Sequence, residues 1–293
     1  MKIITFDVGG TAIKFGMVDE NFEMIFSEEF PTNEFEDTDN MVMYAMESKL
    51  REYEGQYDAI GISTAGQVNS LKGEIIFATD SIPGYTGTKI KEIIEAETGI
   101  PTAVENDVNS AAIGEAIFGA AKGNDSFICL TYGTGIGGAI YLDNNLFTGA
   151  SFSAGEFGHM VIHAGGKNCT CGGKGCYEAY ASAGALVRNV SEKTGRKMNG
   201  REIFECFDNP EIRNIIDDWI DDIVVGLKSL IYIFNPSLIV AGGGIMNEEY
   251  ITAEINKRLE NELMASYRNV RIVKALMGND ANKLGAAYLA SKL

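Results

Sequence analysis

The sequence predicts an α/β fold built as two similar domains. Short apolar runs of strand character alternate with stretches of helical spacing along the chain. A pattern also repeats. An apolar run, a Gly/Thr turn and a second apolar run open the chain, and the same order returns about 125 residues later. Finally, a glycine-rich stretch from Gly155 to Ser182 gathers three of the five cysteines and both histidines.

In order, residues 2–8, the turn Gly9-Gly10-Thr11 and a run through Val18 read as strand, tight turn, strand. A third strand is expected over 22–30. Between Asp37 and Glu54, residues Met41, Val42, Ala45, Met46 and Leu50 share one helical face. Strands follow at 57–63, ending in Thr64-Ala65-Gly66, and at 73–79. The helix from Lys89 to Thr98 is closed by Gly99 and Pro101. A strand at 102–105 runs into Asn106-Asp107 and a helix to Phe118. The small, polar stretch 119–124 then marks a domain boundary. Beyond it come a strand at 126–132, a glycine turn at 133–138 and a strand at 139–143. Helices are expected at 185–194, 200–207 and 210–234. A strand at 238–241 ends in Gly242-Gly243-Gly244, and a helix at 248–264, a strand at 270–274 and a closing helix at 282–293 complete the chain.

Composition narrows the function. Net charge is −17, from 24 basic and 41 acidic residues, which disfavours nucleic-acid and anionic-membrane partners. The start MKIITFDVGG has no secretory pattern, and no apolar run nears the ~18 residues that span a bilayer. Unpaired-looking Cys129 and Cys206 suit a reducing cytoplasm.

Cys169, Cys171 and Cys176 follow a C-x-C-x4-C spacing among Gly165, Gly166, Gly172, Gly173 and Gly175. Glycines let so short a loop fold back until its thiolates converge. With His159 or His163 as fourth ligand they would make a closed structural zinc site; a disulfide or packed thiols are the competing readings. Glu156 and Glu178 flank the loop.

Glycine turns after strands are where α/β proteins place ligands. Thr11 and Thr134 would add hydroxyl donors to such turns and Lys14 a cation. Gly133, Gly135 and Gly138 satisfy G-x-G-x-x-G, but a strand follows rather than the helix a dinucleotide site requires. Asp7 ends a buried strand, where a carboxylate needs a partner and could hold Mg2+ through water. Asp107 reads either as a helix cap or as a general base for a substrate hydroxyl. Asn106, Glu156, His159 and Glu178 are residue types that bind sugar hydroxyls, though the two acids could equally be surface residues.

Together these segments resemble the ROK sugar kinases of the hexokinase/actin superfamily. The likeness covers essentially the whole chain. It rests on DVGGTAIK (7–14), GISTAG (61–66), ENDVNSAA (105–112), GTGIGG (133–138), GEFGH (155–159), CTCGGKGCYE (169–178) and AGGG (241–244). The resemblance implies an actin-like (ribonuclease H-like) ATPase fold with a zinc loop. Its N-terminal domain is 1–118, joined by the closing helix 282–293, and its C-terminal domain is 119–281. It implies ATP, Mg2+ and structural Zn2+, with Asp107 deprotonating a sugar 6-hydroxyl. Gly9, Gly10, Thr11, Thr134 and Gly135 would then bind phosphates, and Gly243 and Gly244 would lie by the adenosine. Gly66, Asn106, Glu156, His159 and Glu178 match sugar-contacting positions; His159, Cys169, Cys171 and Cys176 match the zinc ligands, and His163 does not. A homodimer is also implied.

Where family glucokinases carry Asn-Leu-Pro-Gly-Trp, this chain has Ser81-Ile82-Pro83-Gly84-Tyr85, which removes a hydroxyl contact and reshapes the rim. The segment 63–69 is closer to N-acylmannosamine or β-glucoside kinases, so glucose, N-acetylmannosamine and β-glucosides all stay open. A sugar-sensing repressor of the same family is the alternative; it would need an amino-terminal DNA-binding domain, for which the six residues before Asp7 leave no room.

Overall fold

The structure is a computed structural model describing residues 1–32, 40–79 and 82–293. Asp37, where the first helix was expected to begin, and Ser81 lie outside the described residues. Two compact units emerge: Met1–Lys122 with Leu146–Ala154 and Asn279–Leu293, and Gly123–Asn145 with Gly155–Gly278.

The first unit is built on a five-stranded sheet ordered Met24–Pro31, Ala12–Val18, Ile3–Val8, Ala59–Thr64, Thr102–Asn106. The first three strands pair antiparallel and the rest parallel. Ile3–Val8 lies centrally and is buried along its length, which is why it reads as a near-continuous apolar run. Asp7 is the charged exception in that run. Register sets Lys14 and Ser63 on either side of it, and Thr64 opposite Asn106. The carboxyl ends of three parallel strands therefore bring Asp7, Ser63 and Asn106 to one edge of the sheet. Gln67–Asn69 and Glu74–Phe77 form a small hairpin; its first strand was not anticipated because three residues carry too little periodicity to register.

Helix Met41–Glu52 presents Val42, Met43, Ala45, Met46 and Leu50 to the core. Helix Asp107–Ile117 packs against Ala281–Ala290 at glycine contacts. A Cβ on Gly285 would fall on the Ser110 carbonyl oxygen, and one on Gly114 on that of Ala281. Neither neighbour is a side chain that can turn aside. Gly285→Ala is therefore expected to destabilise the protein by about 1–3 kcal/mol, read from its denaturant midpoint. A midpoint equal to wild type would mean the two helices have room to spare.

The second unit repeats the plan with the order Asn145–Leu146, Ile136–Leu142, Phe127–Tyr132, Leu238–Gly242, Arg271–Lys274. A hairpin is again followed by parallel strands. The expected turn at 133–138 is shorter, because Gly137 and Gly138 already pair with Thr131 and Leu130. Gly138 is glycine for closeness rather than for turning: a Cβ there would lie 2.5 Å from the Gly155 oxygen. Helix Pro210–Phe234 runs as expected, started by the Asn209 cap with proline in its first turn and ended by Asn235 at φ 46°. Its fully buried Trp219 donates to the Ser182 oxygen at 2.9 Å. Among the described residues, no helix is long and apolar enough to cross a membrane.

Candidate active site

In the first unit the parallel strand ends assemble a pair of acids. Asp7 is 8% exposed. Its Oδ1 accepts from Ser63 Oγ at 3.1 Å and from Asn282 Nδ2 at 3.0 Å, while Oδ2 faces Lys14 Nζ at 3.6 Å. Asp107 opens its helix. The cap is Asn106, whose Oδ1 accepts from Val108 N at 2.9 Å and Asn109 N at 3.1 Å. The capping role that Asp107 could have filled therefore belongs to its neighbour. The Asn106 amide donates to Asp107 Oδ1 and to the Gly66 oxygen, both at 2.9 Å. All four hydrogen-bonding positions of Asn106 are thus engaged within the unit, and a ligand hydroxyl could reach it only by displacing one of them.

Burial, and then the Asp7 carboxylate nearby, push the Asp107 carboxyl up to about 6, against the hydrogen bonds from Val108 and Asn106 that lower it. Glu105 is 4% exposed and accepts from Asn106 N at 2.8 Å and Asn109 Nδ2 at 3.0 Å, so it stiffens the same corner; burial raises its carboxyl too. Gly66 needs to be glycine, since at φ 99° a Cβ would lie 2.8 Å from the Phe77 oxygen. The Gly9-Gly10-Thr11 turn is closed by Gly9 N donating to Ala12 O at 3.0 Å. It is tied down by Thr32, whose Oγ1 donates to the Gly9 oxygen at 2.7 Å and whose N–H donates to the Thr11 oxygen at 3.1 Å. Gly10 and Thr11 stay exposed. Tyr85, expected at a rim, is instead core: it is 1% exposed with its hydroxyl 2.8 Å from Thr64 Oγ1, a polar tip satisfied inside an apolar setting.

In the second unit His159, Cys169, Cys171 and Cys176 place their ligand atoms within 4.8 Å of one another. Cys171 and Cys176 sulfurs are 3.7 Å apart, and Cys169 Sγ is 3.6 Å from His159 Nδ1. A tetrahedral zinc with Zn–S of ~2.3 Å and Zn–N of ~2.0 Å has edges of ~3.8 Å and ~3.5 Å respectively. The donor set suits that ion, and these two edges match its spacing. His163 sits apart, its Nε2 2.6 Å from Asp222 Oδ1 and its ring against Tyr180. Of the two histidines, then, His159 belongs to the cluster.

The cluster touches two acids. His159 Nε2 faces Glu156 Oε2 at 3.9 Å. Glu178 Oε1 accepts from Cys169 Sγ and Thr170 Oγ1, each at 3.1 Å. The other Glu178 oxygen abuts the Thr134-Gly135 turn, where a Cβ on Gly135 would lie 2.5 Å from it. That turn is exposed at Thr134 and held by Gly184 N donating to the Gly133 oxygen at 3.1 Å. Gly243, at φ 104°, presses its backbone on Tyr132; it and Gly244 are exposed after strand Leu238–Gly242. Ser63, Asn282 and Thr170 were not singled out from sequence as site residues. Strand pairing could have suggested Ser63, and Thr170 lay inside the cysteine motif.

The comparisons with known proteins agree along the whole chain. The ROK family model matches residues 3–293. A β-glucoside kinase of Listeria monocytogenes is 35% identical, with 98% of this chain and 97% of the relative covered. A glucokinase of Streptomyces coelicolor is 33% identical, covering 97% and 96%. A ROK family glucokinase from Streptomyces griseus, solved with glucose and AMPPNP, superposes with a TM-score of 0.84 at 32% identity, covering 100% of both chains. The fold is that of the actin-like sugar kinases, and the chain belongs to the ROK family.

Proposed function

We propose that this protein, an ATP-dependent sugar kinase, transfers a phosphoryl group to the 6-hydroxyl of a hexose, amino sugar or glucoside, with Asp107 as general base. The observation that carries the reading is the acid pair of the first unit. Asp107 is fixed through Oδ1 by Asn106 and Val108 N, which leaves Oδ2 to accept a proton. Its carboxyl is pushed up to about 6, so it is a usable base near neutrality and still ionised there. Phosphoryl transfer asks little more of a protein than such a base, donors around the phosphates and a metal. Asp7, an oxygen ligand beside Lys14, is of the chemistry that holds Mg2+ through water; the ion would neutralise charge on the phosphates. Gly9, Gly10, Thr11, Thr134 and Gly135 supply backbone and hydroxyl donors to those phosphates, with Lys14. Gly243 and Gly244 lie by the adenosine.

For the sugar, Gly66, Glu156, His159 and Glu178 are assigned its hydroxyls, and Asn106 takes one in exchange for its bond to the Gly66 oxygen. His159 and the three cysteines would hold zinc as a structural ion, because four protein ligands leave no open position for chemistry, and so pinned they would keep Glu178 and Glu156 in place. The reading extends to a cytoplasmic homodimer, which sedimentation of the purified chain would test. The test of activity is a coupled assay with MgATP against glucose, N-acetylmannosamine, N-acetylglucosamine, mannose and cellobiose. Turnover of none of these or related sugars would sink the reading.

A pH dependence follows. The acid limb of kcat/KM is expected near pH 6, where Asp107 takes up its proton, with about a tenfold loss per unit below it. A limb near about 4, the ordinary carboxylate range, would mean that burial and Asp7 do not act on the reacting group.

A further inference from the structure

The helix Ala281–Ala290 bears on Asp7, 275 residues from Asn282 in sequence. We infer that Asn282 is a positioning residue for Asp7: its amide, with the Ser63 hydroxyl, fixes one carboxylate oxygen so that the other is presented for a magnesium–nucleotide complex. The inference rests on the reading of Asp7 as a magnesium residue.

The geometry is lopsided in a way that packing alone does not require. Both donors, Ser63 Oγ at 3.1 Å and Asn282 Nδ2 at 3.0 Å, converge on Oδ1. Among the described residues, Oδ2 has only the longer approach of Lys14, at 3.6 Å. A carboxylate turns easily about its last torsion, so without these bonds Asp7 could swing onto Lys14 and mask both charges. Two donors from different elements, a strand and a helix, prevent that rotation.

Asn282 is itself held firmly. The next residue, Lys283, is a lysine only 2% exposed, an expensive placement unless paired. Its Nζ donates to Ser27 Oγ at 2.5 Å and meets Asp280 Oδ1 at 2.9 Å. Ser27 lies on the strand Met24–Pro31, which pairs with the strand carrying Lys14. Three residues on, Gly285 allows the helix to rest on Ser110 of the Asp107 helix. One helix is thus clamped to the strand pair beside Asp7 and to the helix that begins at Asp107. A residue placed with that definition can fix a carboxylate rotamer; a frayed terminus could not.

The test measures ADP binding by calorimetry with and without Mg2+. The wild-type protein is compared with Asn282→Ala and Asn282→Leu, the second keeping roughly the volume of the amide and removing its donors. Both variants should lose about tenfold or more of the magnesium-dependent gain in affinity, as expected for a hydrogen bond to a charged group. Metal-free ADP binding should stay within twofold. On whichever sugar the wild type phosphorylates, the Mg2+ half-saturation should rise by a similar factor with the sugar KM unchanged. If Asn282→Leu binds MgADP like wild type, the residue fills space and the inference is wrong. Should neither helix variant fold, Ser63→Ala removes the other donor from the same oxygen and must show the same selective loss. A wild-type protein whose ADP affinity ignores Mg2+ overturns the reading of Asp7 itself; a magnesium-dependent wild type with unaltered variants overturns only the role of Asn282.

Discussion

Asp107→Asn is expected to lower kcat by about 10²–10⁴-fold while leaving the fold intact and sugar binding within a few-fold of wild type. The substitution keeps the shape of the side chain and its Oδ1, so the bond from Val108 N at 2.9 Å can persist; the proton acceptor is what disappears. Stability should move the other way from activity. The folded carboxyl titrates at about 6, above its ordinary 3.8, so between those values the native state holds more protons than the unfolded one. Stability then falls as pH rises through that window, and above it an ionised Asp107 is a net cost. Removing the charge should therefore hold or raise the thermal midpoint at pH 7.5, and the difference should shrink towards pH 4, where wild type is protonated. Residual turnover above about a tenth of wild type would refute the base assignment. A large drop in midpoint at pH 7.5 would refute the account of its electrostatics.

How much of this could be read from the sequence depends on how far apart the partners lie. The three cysteines of the candidate metal cluster are close in sequence and glycine spacing announces them, while spacing left His159 and His163 both open as the fourth member; family likeness chose His159, and the structure brings that one to the cysteines. The repeated hairpin was legible because both copies keep apolar strand, Gly/Thr turn, apolar strand. Asp7 stood out as a charge in a buried run. What could not be seen was who answers that charge. Ser63 arrives by parallel register and Asn282 by a helix 275 residues away, and neither leaves a local signal. Tyr85 shows the same limit: family likeness set it at a rim, and a tertiary contact buries it against Thr64. Asn106 is a different case, because its cap bonds are local, to Val108 N and Asn109 N, and two adjacent residues that both cap well leave the helix start open by one position.

Loss of the metal is the second large effect expected. Cys176→Ser should abolish stoichiometric zinc, read by atomic absorption as about one ion per wild-type chain and none in the variant. It should lower kcat/KM by about 10–100-fold or more, the scale on which residues supporting a metal site act. Cys176 is the most revealing of the four because it is buried at 2% and its stretch is knitted into the unit. Val161 and Cys176 bridge antiparallel, and Tyr177 N donates to the Met160 oxygen at 2.7 Å. The next residue after Tyr177 is Glu178. With the ion gone, residues 164–176 would keep backbone bonds such as Gly175 N to the Lys167 oxygen at 2.8 Å and Cys169 N to the Gly173 oxygen at 2.9 Å but lose the centre they fold around, and glycine at 165, 166, 172, 173 and 175 gives such a loop a high conformational entropy. Glu178 would then lose the bond from Thr170 and its fixed place against Gly135. Chelation of the wild type should reproduce the variant, and added Zn2+ should restore the chelated wild type but not Cys176→Ser, because structural metal binding is part of the folding free energy. The melting temperature should fall by several degrees in both cases. A chelated, zinc-free protein with wild-type turnover and an unchanged midpoint would show that the four ligand atoms converge without holding an ion that matters.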